Sequence, residues 1–259
     1  MTTRNKTSTC KKVWSYWEGT KPALVEDCLA TWEKYLGRFG WEINVLTPET
    51  IQQFDIIKPE SYDSLLPAHR ADVIRLSLLY SHGGLWLDAS IYLTENVDWL
   101  INKPVSICGV QYWKNNNPAS YIENWILYSQ PKNKAVLLWL ETLNEILDTD
   151  PVTNHRAYNS PCVELDDYFM AYQAFCMLRK QHQEFEEIYQ AGTKVTNDIF
   201  RFSTLKPLSK LPKEKLLVKF TSSGRSYYPF SRFPMIYIYL CLVLMIVLIS
   251  ILAVRVSRK

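Results

Sequence analysis

The sequence predicts an α/β protein with parallel strands and a C-terminal transmembrane helix. Three observations predict it. The first 60 residues alternate between runs of strand periodicity and runs of helix periodicity, the order that builds a parallel sheet. Of the 259 residues 47% are hydrophobic, which suits one sizeable packed domain and excludes a disordered chain. The run MIYIYLCLVLMIVLISILAV, residues 235–254, holds no charge over 20 residues. As a helix it is about 30 Å long, the thickness of a bilayer's hydrocarbon layer.

Taken in order, KKVWSYW (11–17) is β-prone, and Gly19 and Pro22 interrupt the chain after it. In LVEDCLATWEKYL (24–36), Leu24, Cys28, Leu29, Trp32, Tyr35 and Leu36 fall at helical spacing, and Gly37 and Gly40 mark the end. WEINVLT (41–47) alternates as a strand does, and Pro48-Glu49-Thr50 opens a helical turn. Over 68–80, Val73, Ile74, Leu76, Leu78 and Leu79 suit a well-buried helix, which Ser81-His82-Gly83-Gly84 stops. LWLDAS then reads as a buried strand ending at Asp88. VSICGVQYW (105–113) and IENWILYS (122–129) are strands with a loop at 115–118 between them, and KAVLLWLETLNEIL (134–147) is a helix. A long helix is expected over 163–190, with Leu165, Phe169, Tyr172, Phe175 and Cys176 on one stripe. The resulting organisation is a flexible tail (1–11), a domain (12–200), a basic juxtamembrane linker (201–233), the apolar span (234–254) and a short basic tail (255–259).

The net charge of +3 conceals an uneven distribution. Residues 1–200 hold 18 basic and 25 acidic residues, 201–233 hold 8 and 1, and the last five hold 3 basic ones. This is an acidic body with a basic neck. A neck beside a span accounts for the clustered basic groups without nucleic acid, and Lys and Arg flanking a span favour the cytoplasmic face. MTTRNKTSTCKK lacks the apolar core of a signal peptide. The expectation is therefore a single-pass, tail-anchored membrane protein whose body stays cytosolic, with Tyr237 and Tyr239 in the interfacial belt. The six cysteines form no Cys-x-x-Cys pattern and point to reduced thiols rather than a zinc site or a disulfide framework.

The chemistry-bearing residues cluster in HRADVIRLSLLYSHGGLWLDAS (69–90). Asp72 and Arg75 stand three apart on a helix, hence on neighbouring turns of one face. A buried unpaired charge is costly, so each must meet a partner or a ligand. They either pair with each other to tie helix to sheet, or contact a bound molecule. Gly83-Gly84 allows positive φ or a close backbone approach, or simply stops the helix. Asp88 sits at the carboxyl end of an apolar strand, where α/β sheets bind ligands. A carboxylate there can hold Mg²⁺ or Mn²⁺ on diphosphate oxygens, or merely form a turn.

The pattern Ala71-Asp72-x-x-Arg75-x-x-x-Leu79-Tyr80-x-x-Gly83-Gly84-x-Trp86-x-Asp88 resembles the capsular polysaccharide synthesis type of glycosyltransferase. It is also similar to the wider group with an Asp-x-Asp sugar-binding region, which includes mannosyltransferases and glucosylating toxins. Val13-Trp14-Ser15-Tyr16-Trp17-Glu18-Gly19 resembles that family's first strand and its Trp. The resemblance implies a GT-A-like, nucleotide-binding (Rossmann-like) sandwich, a UDP- or GDP-sugar donor, and Mn²⁺ or Mg²⁺. By the same resemblance Trp17 lies near the nucleotide base, Asp72 and Arg75 contact the donor sugar, and Asp88 meets the metal–diphosphate or ribose. Gly83, Gly84 and Ser90 complete the substrate-binding set.

One position departs from the pattern: Ser90 stands where a second Asp is usual. A serine is a weaker metal ligand than a carboxylate, which leaves the second ligand open. ELDDYFMAY (164–172) offers Glu164, Asp166 and Asp167 near a helix start, where acids also suit the dipole. Asp167, in an Asp-Tyr-Phe stretch that resembles the family's, is the expected general base for the acceptor hydroxyl. His155 as a further ligand and Glu123 as an acceptor-site residue are weaker candidates. The expected protein is a membrane-tethered hexosyl- or pentosyltransferase that moves a sugar to a glycan or lipid-linked acceptor with metal assistance. The alternative, which Ser90 favours, is a degenerate, non-catalytic module that binds nucleotide sugar or glycan.

Overall fold

The computed structural model of the chain describes residues 11–101, 107–114, 117–149, 169–195, 200–203 and 217–220. In chain order they form β1 (Lys12–Tyr16), α1 (Ala23–Tyr35), β2 (Glu42–Leu46), α2 (Pro67–His82), β3 (Gly84–Leu87), β4 (Ile91–Leu93) and a single turn, α3 (Asp98–Ile101). Next come β5 (Ile107–Lys114), β6 (Asn117–Ser129), α4 (Lys134–Asp148), α5 (Met170–Gln181), α6 (Gln183–Ala191), β7 (Thr193–Val195), β8 (Phe200–Ser203) and β9 (Leu217–Phe220). Six strands make one mixed sheet in the order β2-β1-β3-β6-β5-β7, and three make a second, β4-β9-β8. β1 is parallel to both β2 and β3, while β6 runs antiparallel to β3 and β5.

Residue alternation sets the two faces of the large sheet. Successive side chains on a strand point to opposite sides. Val13, Leu85, Leu87, Ile126 and Tyr128 therefore pack with Trp32 of α1 and with Leu36, the residue that ends that helix. Trp14, Tyr16, Trp86 and Leu127 pack on the other face with Val73, Leu76 and Leu79 of α2 and Val136, Trp139 and Leu140 of α4. Trp14 and Trp86 lie opposite each other across the β1–β3 ladder, and both are fully buried. α2 is covered on nearly every side, which explains why its apolar residues do not keep to one stripe. Pro67 opens α2, where its missing N–H removes no helical bond. Asn133 caps α4, its side chain accepting from Ala135 N at 2.9 Å and Val136 N at 3.4 Å.

Over 169–191 the expected single helix is two, broken at His182. His182 leaves helical geometry (φ −125, ψ 99), and its ring accepts from Phe185 N to start α6. The break turns α6 so that Phe185 and Tyr189 both reach Phe175, with ring centres 5.1 and 5.4 Å apart. The 163–168 part of that expectation lies outside the described residues.

Gly84 joins α2 and β3 to β1. Its φ is +101, and a Cβ there would meet the Lys12 carbonyl oxygen at 2.6 Å. The left-handed backbone and the clash both oppose any side chain. Gly84→Ala is expected to cost about 2–4 kcal/mol, read as a lower urea midpoint at an unchanged slope.

The expected fold class is corrected on two points. The large sheet is mixed rather than parallel, because β6 runs antiparallel to both β3 and β5. Among the described residues no helix is long and apolar enough to cross a membrane. The longest, α2, has 16 residues, about 24 Å against the roughly 30 Å needed, and it carries Arg70, Asp72 and Arg75. The fold described is a mixed α/β one without a transmembrane helix. The single-pass, tail-anchored placement with a cytosolic domain is withdrawn with it. Residues 234–254, on which that expectation stood, lie outside the described residues.

Within the basic stretch read as linker, Leu217–Phe220 forms β9, antiparallel to β4 and parallel to β8. Leu217 and Val218 are fully buried, the first against Leu93 and the second against Leu24 and Cys28. Four residues among scattered Lys and Pro are too short a run for periodicity to reveal.

Candidate active site

The strand order reverses between β1 and β3. From β1 the chain crosses to β2 on one side, and from β2 it returns to β3 on the other. The crevice beyond the carboxyl ends of β1 and β3 is thus the switch point at which α/β sheets take ligands. Trp17 follows the last residue of β1, and Asp88 follows the last residue of β3.

Local geometry then aims Asp88. It stands two residues after Trp86 in extended chain, so both side chains take the α2 face. Only Gly83 separates α2 from β3, so helix and strand run in opposite senses and the first half of α2 lies beside the end of β3. Arg75 Nη2 donates to Asp88 Oδ1 at 3.0 Å, and Trp86 Nε1 donates to the same oxygen at 2.9 Å. Arg75 Nη1 donates to Asp72 Oδ1, and the guanidinium carbon stands 4.8 Å from the centre of the Trp86 ring. Asn124 of β6 donates to Asp72 Oδ1 at 2.9 Å. The Tyr172 hydroxyl of α5 lies 2.9 Å from Asn124 Oδ1 and 2.7 Å from Glu123 Oε2.

The other Asp88 oxygen is held from the small sheet. Asp88 and Ile91 close a turn, Ile91 N donating to the Asp88 carbonyl at 2.9 Å. Ile91 lies opposite Lys219 in the β4–β9 ladder, which brings Lys219 back to the turn. Its Nζ donates to Asp88 Oδ2 and lies 3.2 Å from Ser90 Oγ. A continuous polar chain therefore runs from Lys219 through Asp88, Arg75, Asp72, Asn124 and Tyr172 to Glu123. Asp72 and Arg75 are only 8% and 4% exposed. The Asp88 and Lys219 side chains are 27% and 14% exposed, so the chain opens to solvent at that end.

Electrostatics follow this layout. Burial pushes the Asp88 carboxyl up, but the Lys219 ammonium and the Arg75 guanidinium outweigh it and hold the group well below the usual carboxylate range. Burial raises Asp72 against the pull of Arg75. Burial also raises Glu123, and it raises Tyr172 with further help from the Glu123 carboxyl beside it.

The structure brings Asp72, Arg75, Asp88 and Ser90 together. Trp17 stands at the same end of the sheet, its N–H donating to the Leu46 carbonyl at 2.9 Å. The loop after β1 is fixed by Glu18, which accepts both Arg70 Nε and Nη2 at 2.8 and 2.9 Å and the Tyr16 hydroxyl at 2.8 Å. Gly83 and Gly84 lie at the opposite end of β3, where Gly83 accepts Trp14 Nε1 at 2.9 Å and Gly84 abuts Lys12. Their place in the fold is close packing of the helix–strand turn. Asp167, Glu164, Asp166 and His155 lie outside the described residues. Asn124 and Lys219 join the site unnamed by the sequence reading, and Trp86 and Tyr172 join it from a pattern and a helix stripe that gave them no site role. Trp86 had a signal, its two-residue spacing from Asp88, whereas Lys219 had none.

The described donor set does not fit a divalent ion as arranged. No group of three or more His, Cys, Asp or Glu among the described residues is placed to hold a metal. Both oxygens of Asp88 already accept from charged or ring N–H groups. Mg²⁺ and Mn²⁺ favour about six oxygen ligands, and an ion at Asp88 would face Lys219 and Arg75. Each such pair, a divalent ion against a single positive charge at 4 Å, is unfavourable by about 8 kcal/mol at a dielectric near 20.

A comparison with protein families matches residues 1–223 to the family described as capsular polysaccharide synthesis protein. The chain belongs to that family. Among curated proteins, this capsular polysaccharide synthesis family chain is 28% identical over 217 residues to "Glycosyltransferase afumC" of Aspergillus fumigatus, covering 68% of this chain and 55% of the relative. It is 25% identical over 142 residues to "O-glycosyltransferase PaGT" of Phomopsis amygdali, covering 45% of this chain and 34% of the relative. It is 25% identical over 112 residues to "O-glycosyltransferase braB" of Annulohypoxylon truncatum, covering 37% and 26%. The family chain thus spans about half the length of the first relative and less of the other two. A solved glycosyltransferase involved in glycosylation of the major capsid of PBCV-1 aligns at 11% identity and a TM-score of 0.48, covering 83% of this chain and 94% of that one.

Proposed function

We propose that this chain is a glycosyltransferase that moves a sugar from a UDP- or GDP-sugar to an acceptor hydroxyl. The observation that carries the reading is the Asp72–Arg75–Asp88–Lys219 chain of charges at the switch point of the sheet, in a member of the capsular polysaccharide synthesis family. Relatives named as glycosyltransferases support the activity, and two named as O-glycosyltransferases support a hydroxyl acceptor.

In this reading Trp17 lies against the nucleotide base, Asp72 and Arg75 address the donor sugar, and the Asp88–Ser90 turn addresses the ribose and diphosphate. Departure of the sugar leaves negative charge on the diphosphate, and preorganised positive groups stabilise it as it forms. Asp167 remains the proposed base for the acceptor hydroxyl. A divalent ion at Asp88, expected from the sequence, would have to displace Lys219 from Oδ2.

The purified chain of residues 1–259, incubated with a panel of UDP- and GDP-sugars with and without Mn²⁺, is expected to release nucleoside diphosphate from at least one donor. Neither turnover nor nucleotide binding anywhere in the panel would overturn the reading. Tight donor binding at the buffer rate of hydrolysis would favour the non-catalytic module instead.

A further inference from the structure

We propose that Lys219 supplies the positive charge that receives the donor's diphosphate, in the place at Asp88 where the sequence pattern leads one to expect a divalent ion. The proposal rests on the glycosyltransferase reading and deepens it: nucleoside diphosphate binding needs no added metal.

Four observations converge on Lys219. Its Nζ engages Asp88 Oδ2, while Arg75 and Trp86 engage Oδ1, so the carboxylate is coordinated by protein N–H groups. Ser90 Oγ lies 3.2 Å from the same ammonium. The departure from Asp-x-Asp to Asp-Ala-Ser thus has a partner: a neutral hydroxyl suits an ammonium, where a second carboxylate would suit a metal. The charges of Asp72 and Asp88 are matched by Arg75 and Lys219, so an incoming diphosphate meets a balanced site rather than a bare carboxylate that would repel it. Finally, the Asp88–Lys219 end is the part of the chain open to solvent, at the carboxyl ends of β1 and β3.

A lysine ammonium binds phosphate oxygens as a compact point charge. In the transfer step the acceptor oxygen bonds to the anomeric carbon as the bond from that carbon to the diphosphate oxygen breaks. The electron pair leaves with the diphosphate, which gains one negative charge beside Lys219. The acceptor's proton passes to a base, which is solvent when water is the acceptor.

The test is calorimetric binding of UDP and GDP to the full 259-residue chain in EDTA and in Mn²⁺. Wild-type affinity for at least one nucleotide is expected to agree within about threefold between the two conditions. Lys219→Met is expected to weaken binding in EDTA by about tenfold or more, the loss of one charge-assisted contact, and Lys219→Arg to keep most of it. Circular dichroism verifies that each variant is folded. Wild-type binding that requires Mn²⁺ would overturn the Lys219 assignment and leave the glycosyltransferase reading standing, as would a folded Lys219→Met that binds like wild type in EDTA. Failure of both nucleotides under both conditions would overturn the two together. Should Lys219→Met not fold, the EDTA–Mn²⁺ comparison on the wild type decides alone.

Discussion

Arg75→Met is expected to destabilise the fold by about 3–5 kcal/mol. Methionine keeps an unbranched chain against the Trp86 ring but removes the guanidinium. Asp72, 8% exposed, then loses the cation at its Oδ1, and Asp88 loses one of the two N–H groups at its own. The penalty is that of a buried charge stripped of its partner, not the net worth of the pair. Asp72→Asn combined with Arg75→Met should therefore recover part of the loss, because neither charge then remains buried alone. Urea unfolding of the two single variants and the double variant measures it. A loss below about 1 kcal/mol for Arg75→Met, of the size seen for exposed pairs, would show that the cluster is solvated in a way its burial excludes.

Asp88→Asn is expected to lower donor turnover by roughly 100- to 1000-fold, the range for removing one preorganised charged contact. The amide keeps the shape but no longer anchors Lys219 and Arg75 electrostatically. Its stability effect should depend on pH. The folded-state pKa of Asp88 is depressed, so its contribution is fully present above the unfolded value of about 4 and is lost as pH falls through the folded value. The wild type should thus exceed Asp88→Asn in unfolding free energy near neutrality, and the gap should narrow steadily below about pH 4. A gap unchanged between pH 7 and strongly acidic solution would remove Asp88 as the charge that Lys219 and Arg75 hold.

The two variants separate the roles of neighbouring charges. Arg75 lies deep and ties α2 to β3, so its removal is chiefly a matter of stability. Asp88 sits at the open end between the two sheets, so its removal is chiefly a matter of turnover. Glu123 and Tyr172 close the inner end of the chain, where burial raises both groups above their ordinary values.

Much of the local architecture is legible in the residues alone. The apolar spacing over 68–80 became Pro67–His82, the run 134–147 became Lys134–Asp148, and the strand before Asp88 ended where the charge begins. Periodicity of 3.6 and of 2 is written in neighbouring residues, so segments long enough to repeat it are readable. Asp72 and Arg75, three apart on a helix, and Trp86 and Asp88, two apart on a strand, are local pairs of the same kind. Ring packing onto Phe175 leaves no mark in that pattern, so the break at His182 is not legible there.

By itself, then, the sequence determined the elements from β1 to β3, the burial of α2 and the position of Asp88 at a strand end. It could not say which cation meets Asp88. Lys219 lies 131 residues away, in a basic stretch that its own composition marks as linker. Only the β4–β9 ladder carries it to the Asp88–Ile91 turn. Non-local strand pairing leaves no periodic trace in either partner, because register is decided by the packing of Leu217 and Val218 into cores built from other parts of the chain.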